Sequence, residues 1–96
     1  MTILAKKVKN WGREKGINDA NAQFAKMIEE CGELAHELTR GNYNSKLTED
    51  AIGDIRVCLI ILADILGYDD EDCLELAWRE IKDRKGKTVN GNFVKE

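Results

Sequence analysis

The stretch over residues 26–54 limits what this chain can fold into, because two amphipathic segments there flank one short polar turn. Advancing about 100° per residue from Glu30, the side chains of Lys26, Glu29, Glu33 and Glu37 fall within one narrow arc. Met27, Ile28, Cys31, Leu34, Ala35 and Leu38 fill the neighbouring arc. The same construction from Asp54 puts Asp50 beside it, with Ala51, Ile52, Ile55, Cys58, Leu59 and Leu62 on an adjoining apolar stripe. Between the segments lie residues 41–45 (GNYNS), a run of turn formers. The spacing predicts two helices folded back antiparallel, with their apolar stripes buried against each other. Counted outward from the turn, Glu33 comes level with Asp54 and Glu37 with Asp50, so carboxylates from both helices face one space.

Such a gathering of like charge calls for a counter-charge. At separations of ~4 Å and an effective dielectric near 20, each pair of carboxylates costs about 4 kcal/mol. A hard divalent cation removes that cost, and Mg²⁺ and Mn²⁺ take oxygen ligands from carboxylates, waters and substrate phosphates. A solvated acidic face is the plainer alternative, since charged side chains are mostly exposed. Two matched stripes facing each other across one turn favour the metal.

The remaining composition narrows the chemistry. At 96 residues there is room for one domain, taken as residues 1–96, with a thin core that oligomerisation would help. A mixture of 43% hydrophobic and 34% charged residues, with no proline at all, suits long uninterrupted helices. The expected fold is therefore all-α, an antiparallel bundle of about four helices. A net charge of −3 argues against a nucleic-acid partner. No apolar run reaches the ~18–20 residues of a membrane span, and the leading MTILAKKVKN lacks the apolar core of a signal peptide. The expectation is a cytoplasmic protein with no membrane partner.

The three cysteines are odd in number and show no CxxC spacing, and all three read as reduced core residues. His36, the single histidine, lies about 140° round the helix from Cys31, which excludes a thiol–imidazole pair. With one histidine and one serine, Ser45, neither a Ser-His-acid triad nor the usual His/Cys zinc site can be assembled. Carboxylates, lysines and arginines remain for chemistry.

Around the acidic pair the chain supplies further elements. A first helix is expected from Thr2 to about Lys15, carrying Trp11 as a packing anchor or as a ring on which a base stacks. Asn18 or Asp19 caps the acidic helix, which continues to about Arg40. A third helix runs from about Thr48 to Leu66. Its segment 57–62 (VCLIIL) is apolar on all sides, which predicts a homo-oligomer, dimer or tetramer, packing through this helix. Asp64 on the same helix reads as a structural acid rather than as an outlying member of the metal cluster. The fourth helix starts among acids 69–72 and carries Leu74, Ala77, Trp78 and Ile81 on one face. After it, Arg79, Lys82, Arg84, Lys85 and Lys87 form a cationic patch, either a solvated helix end or a device for capturing phosphate oxygens. The tail over residues 88–96 is expected to be extended and to hook onto a neighbouring subunit.

Glu29-Glu30-Cys31-Gly32-Glu33 fits an EExxE element, and Asp50-Ala51-Ile52-Gly53-Asp54 fits an acidic element ending in GD. In these, and from Trp11 through QFAKMIEECGELAHEL and DAIGDIRVCLIILAD to AWREIKDRKGKTVNGNFVKE, the chain resembles the MazG-like all-α nucleotide pyrophosphohydrolases. The likeness is to their small single-domain members, of the kind often found in phages. One position departs from the pattern. The glutamate of the family's ExxD element would fall at position 51, where this chain has Ala51, and Asp50, four residues before Asp54 on the same face, is the substitute.

The resemblance implies hydrolysis of a nucleoside triphosphate between the α and β phosphates, giving the monophosphate and pyrophosphate. It implies that Glu30, Glu33 and Asp54, with Asp50, hold one or more Mg²⁺ ions, Mn²⁺ being the alternative, and that Glu29 orients or deprotonates the attacking water. Lys26 would pair with Glu30 or reach a phosphate. Lys82, Arg84 and Lys85 would hold phosphate oxygens, and Trp11 and Gln23 would contact the base. Two other outcomes stay open. One is a related enzyme, a phosphoribosyl-ATP pyrophosphohydrolase or a dUTPase-like relative. The other is a non-catalytic nucleotide-binding helical oligomer, which Ala51 makes plausible.

Overall fold

Every helix begins where a short oxygen-bearing side chain accepts from an amide that has no partner within the helix. In the computed structural model, which describes residues 2–96, α1 (Ile3–Glu14) follows Thr2, whose Oγ1 accepts from the Ala5 amide at 3.1 Å. α2 (Ala20–Thr39) follows Asp19, with Oδ1 accepting from the Ala22 amide at 2.9 Å. α3 (Lys46–Ile65) follows Ser45, whose Oγ accepts from the Thr48 amide at 3.1 Å. α4 (Asp70–Ile81) follows Asp69 and carries three acids in its first turn, where the helix dipole favours them. α3 starts two residues earlier than the expected Thr48, because Ser45 both ends the turn and caps the helix.

Glycines stop three of the helices in the left-handed conformation, Gly16 at φ 71°, Gly41 at φ 77° and Gly67 at φ 84°. Each is followed by an amide that reaches back over the last turn, Ile17 to the Gly12 carbonyl at 3.0 Å, Asn42 to the Glu37 carbonyl at 3.0 Å and Tyr68 to the Ala63 carbonyl at 2.8 Å. The short link through Asn42 returns the chain, so that α2 and α3 pack antiparallel along their length. α1 packs on α3 from another side, and Gly12 permits the approach: a Cβ there would come within 3.1–3.4 Å of the Ile61 side chain. The core is a narrow seam of Ala5, Ala51, Cys58, Ile60, Ile61 and Ala63. An all-α bundle of four helices, as expected, is what forms. None of them is long and apolar enough to cross a membrane.

The segment 57–62 meets most of its partners within the chain. α1 covers the side of Val57, Ile60 and Ile61, α2 covers Cys58, and Leu59 alone in this segment stands out as exposed. α2 is less covered than its apolar arc predicted. Met27 and Leu34 are half-buried against α3, but Ile28, Cys31, Ala35 and Leu38 are exposed. Together with Phe24 they repeat at intervals of 4, 3, 4 and 3 residues. By helical phase this stripe, and Ile52, Leu59 and Leu66 of α3, lie on the side of the helix pair away from the acidic residues. Cys31 on this stripe and Cys73 in α4 are therefore surface thiols, and only Cys58 fulfils the expectation of a core cysteine.

Beyond α3 the chain spreads outward. α4 touches only α3, and its expected packing residues Leu74, Trp78 and Ile81 stay exposed. The tail folds on itself as β1 (Gly86–Val89) and β2 (Asn92–Lys95), an antiparallel hairpin in the register Thr88↔Phe93 and Val89↔Asn92. Asn90 and Gly91, both at positive φ, make its two-residue turn, a signal present in the sequence as Asn-Gly between β-forming residues. The hairpin packs against none of the helices.

Candidate functional site

One groove, of about 650 Å³, runs along the seam between α2 and α3. From α2 it takes Lys26, Glu29, Gly32, Glu33, His36 and Glu37, the i, i+3, i+4 row that a straight helix presents to one side. From α3 it takes Leu47, Asp50, Ala51 and Asp54. Antiparallel packing brings these rows face to face, so Glu29, Glu33, Asp50 and Asp54 share one space, as the counting from the turn required. Glu30 lies behind them at the helix interface, 7% exposed. Ala51 points into the packed seam, where its methyl is buried, while Asp50 stands one position round the helix on the open side.

Charge in the groove is poorly compensated. Glu30 Oε1 is 3.4 Å from the Lys26 ammonium, but Glu30 Oε2 is buried with no hydrogen-bond partner. A buried carboxylate oxygen left unpaired is costly, and it is the atom a cation would satisfy. Burial first, and then the charges of Asp50 and Glu30, push the Asp54 carboxyl above its ordinary value, while Lys26 works against the rise. The Cys58 thiol is pushed up by burial and by Glu30, so it stays a protonated core group. The Lys26 ammonium is pushed up, chiefly by its hydrogen bond to Glu30. Among the described residues, no three His, Cys, Asp or Glu side chains already stand as a set ready to hold a metal ion. The donors nonetheless fit one: all are hard carboxylates, five line one groove, and Glu30 behind them offers an unpartnered buried oxygen.

Several residues expected at the site are elsewhere. Lys82, Arg84 and Lys85 follow α4 at the outer end of the chain and line no part of this groove, because α4 leans on α3 alone. Trp11 is half-exposed on α1 and lines neither the acidic groove nor the apolar groove beside it. Gln23 turns inward, and its Nε2 donates to the Cys58 carbonyl at 3.2 Å. Its role is to tie α2 to α3. Glu37, which the count from the turn set level with Asp50, lines the groove, and His36 lines it beside Glu37, one position before it on α2. Glu37 accepts from the Asn42 amide side chain at 2.7 Å, which engages it in the turn.

A second groove of about 600 Å³ lies between α1 and α3, walled by Leu4, Ala5, Val8, Val57 and Ile60. It shares Asp50 and Asp54 with the acidic groove, so an apolar space adjoins the carboxylates. On the far side of α1, Arg13 donates twice to the Asp64 carboxylate, each at 2.8 Å, and Lys9 stands 3.7 Å from it. Those partners hold the Asp64 carboxyl below its usual range. Asp64 ties α1 to α3, a structural role in keeping with the acid expected there.

Fold and groove together define a class: all-α proteins whose paired acidic helices enclose a carboxylate-lined cleft. No family model and no curated protein matches the chain by sequence. Among solved structures, a crystal structure of the Bacillus-conserved MazG protein, a nucleotide pyrophosphohydrolase, superposes with a TM-score of 0.73 at 25% identity, covering 85% of this chain and 88% of that one. The chain shares the fold of that MazG protein over most of its length.

Proposed function

We propose that residues 1–96 act as one domain that hydrolyses a nucleoside or deoxynucleoside triphosphate between the α and β phosphates, releasing the monophosphate and pyrophosphate. One observation carries this reading: the acid rows of α2 and α3 meet in a single groove backed by the unpartnered oxygen of Glu30. The fold likeness to a solved nucleotide pyrophosphohydrolase supports it. Glu30, Glu33, Asp50 and Asp54 would hold Mg²⁺, or Mn²⁺, which would offset charge on the phosphate oxygens. Glu29, exposed at the rim, would orient the attacking water and take its proton. Lys26 lies within the same rim and offers a donor to phosphate. The apolar groove against α1 is the space open to the base, with Asp50 and Asp54 at the junction.

Lys82, Arg84 and Lys85 meet triphosphate in this scheme only by projecting from another copy. We accordingly read the exposed stripe of Phe24, Ile28, Leu38, Ile52, Leu59 and Leu66 as the face by which a homo-oligomer, dimer or tetramer, assembles. The partner surface then involves α2 as well as α3.

The test is pyrophosphate release from a panel of standard and modified nucleotides with Mg²⁺, Mn²⁺ or EDTA. Metal-dependent release from some members is the expected result and identifies the substrate. Glu33→Gln is expected to cut that rate by at least ~100-fold with the helical circular dichroism unchanged. A near wild-type rate in E33Q would remove Glu33 from the chemistry. Silence across the panel with nucleotide binding retained would instead favour a non-catalytic binding module, the outcome that Ala51 keeps open.

A further inference from the structure

Among the described residues, Lys26 is the one lysine or arginine lining the acidic groove, and its side chain is far more exposed than that of the Glu30 it contacts. Its ammonium lies 3.4 Å from Glu30 Oε1 and 3.7 Å from Glu29 Oε2. The Lys26 side chain is 57% exposed while that of Glu30 is 10% exposed, so the carboxylate is fixed in the helix seam and the ammonium reaches in from solvent on a flexible stem. The other Glu30 oxygen has no partner. A cation drawn to that carboxylate meets the ammonium already beside it, and like charges at such separations repel. The lysine stem can turn outward along the groove rim without moving α2.

We propose that Lys26 is the resident cation of the groove: it neutralises Glu29 and Glu30 while no metal is bound, gives way when a divalent cation enters at Glu30, and turns outward onto the phosphates of the nucleotide. The inference rests on the metal and triphosphate reading of the groove. Lys26 and metal alone therefore compete. With phosphate present the two no longer oppose each other, because phosphate oxygens accept from the displaced ammonium, and metal and phosphate bind cooperatively. An ordinary exposed i, i+4 helix pair predicts neither effect, since such pairs contribute little and leave metal affinity alone.

The test is Mn²⁺ binding, followed by the electron paramagnetic resonance of the free ion, on the full chain with and without pyrophosphate. Lys26→Met keeps the stem and removes the charge, Lys26→Arg keeps the charge, and thermal melting in EDTA checks that both fold. K26M is expected to bind Mn²⁺ alone at least about five-fold more tightly than wild type, and to lose the tightening that pyrophosphate gives. K26R should follow wild type. Equal or weaker Mn²⁺ binding by K26M overturns the competition. Tighter binding with the pyrophosphate effect intact overturns the outward turn onto phosphate. If neither wild type nor K26M binds Mn²⁺ under any of these conditions, the metal reading of the groove itself fails.

Discussion

Asp54 is the residue at which the groove's charge can be measured. Its folded carboxyl titrates above the unfolded value because burial, Asp50 and Glu30 disfavour the ionised form. A carboxyl raised on folding favours the folded state below its unfolded pKa, near 3.8, and that contribution is lost as pH rises through the folded value. At neutral pH, without metal, ionised Asp54 therefore opposes folding. Asp54→Asn should raise the melting temperature of the metal-free chain by a few degrees at pH 7, with the gain fading below about pH 3.8. Circular dichroism melts in EDTA at the two pH values check this, and no gain at pH 7 would mean that the groove already relieves the charge. Asp64 has the opposite sign: held low by Arg13, it contributes above pH 3.8 and loses that contribution as pH falls. At this scale the carboxylates were legible, since helical phase alone sets Glu29, Glu33, Asp50 and Asp54 on facing rows. Lys82, Arg84, Lys85 and Trp11 were not, because no periodicity says how far a separate helix leans from the groove.

The elements owe their limits to caps, and the turn between α2 and α3 holds the groove in register. Ser45 accepts from the Thr48 amide and bonds the Thr48 hydroxyl at 3.0 Å, and that hydroxyl in turn donates to the Asn42 carbonyl. Thr48 is buried in this corner, so the start of α3 is tied to the end of α2. Ser45→Ala should cost about 1 kcal/mol, lowering the melting temperature by about 4–8 °C. A melt unchanged within a degree would show that Thr48 and Asn42 hold the corner unaided. The hairpin illustrates the reverse case. Asn90-Gly91 carries a local turn signal, and through it the tail pairs with itself. Gly86 belongs to the same element, since a Cβ there would strike the Val94 carbonyl and the Phe93 ring.

For the whole molecule, a radius of gyration of 15.7 Å stands against the roughly 12–13 Å of a compact chain this long. The excess comes from α4 and the hairpin, which rest on little, and it accompanies a row of apolar side chains about half-exposed on α2 and α3. Leu59→Asp puts a charge at the centre of that row and away from the acidic groove. Wild type is expected to run as an oligomer in light scattering at micromolar concentration and L59D as a monomer with the same helical content; a monomeric wild type would refute assembly through this face. By itself the sequence determined the four helices, the turn and the two acid rows, because period, caps and turn chemistry act over a few residues. Only the tertiary structure decided which flank of each apolar arc is covered, where the cations after α4 come to rest, and that Glu30 is buried behind the groove while Asp50 stands at its wall. Those outcomes depend on the angle at which helices pack, which many distant side chains set together.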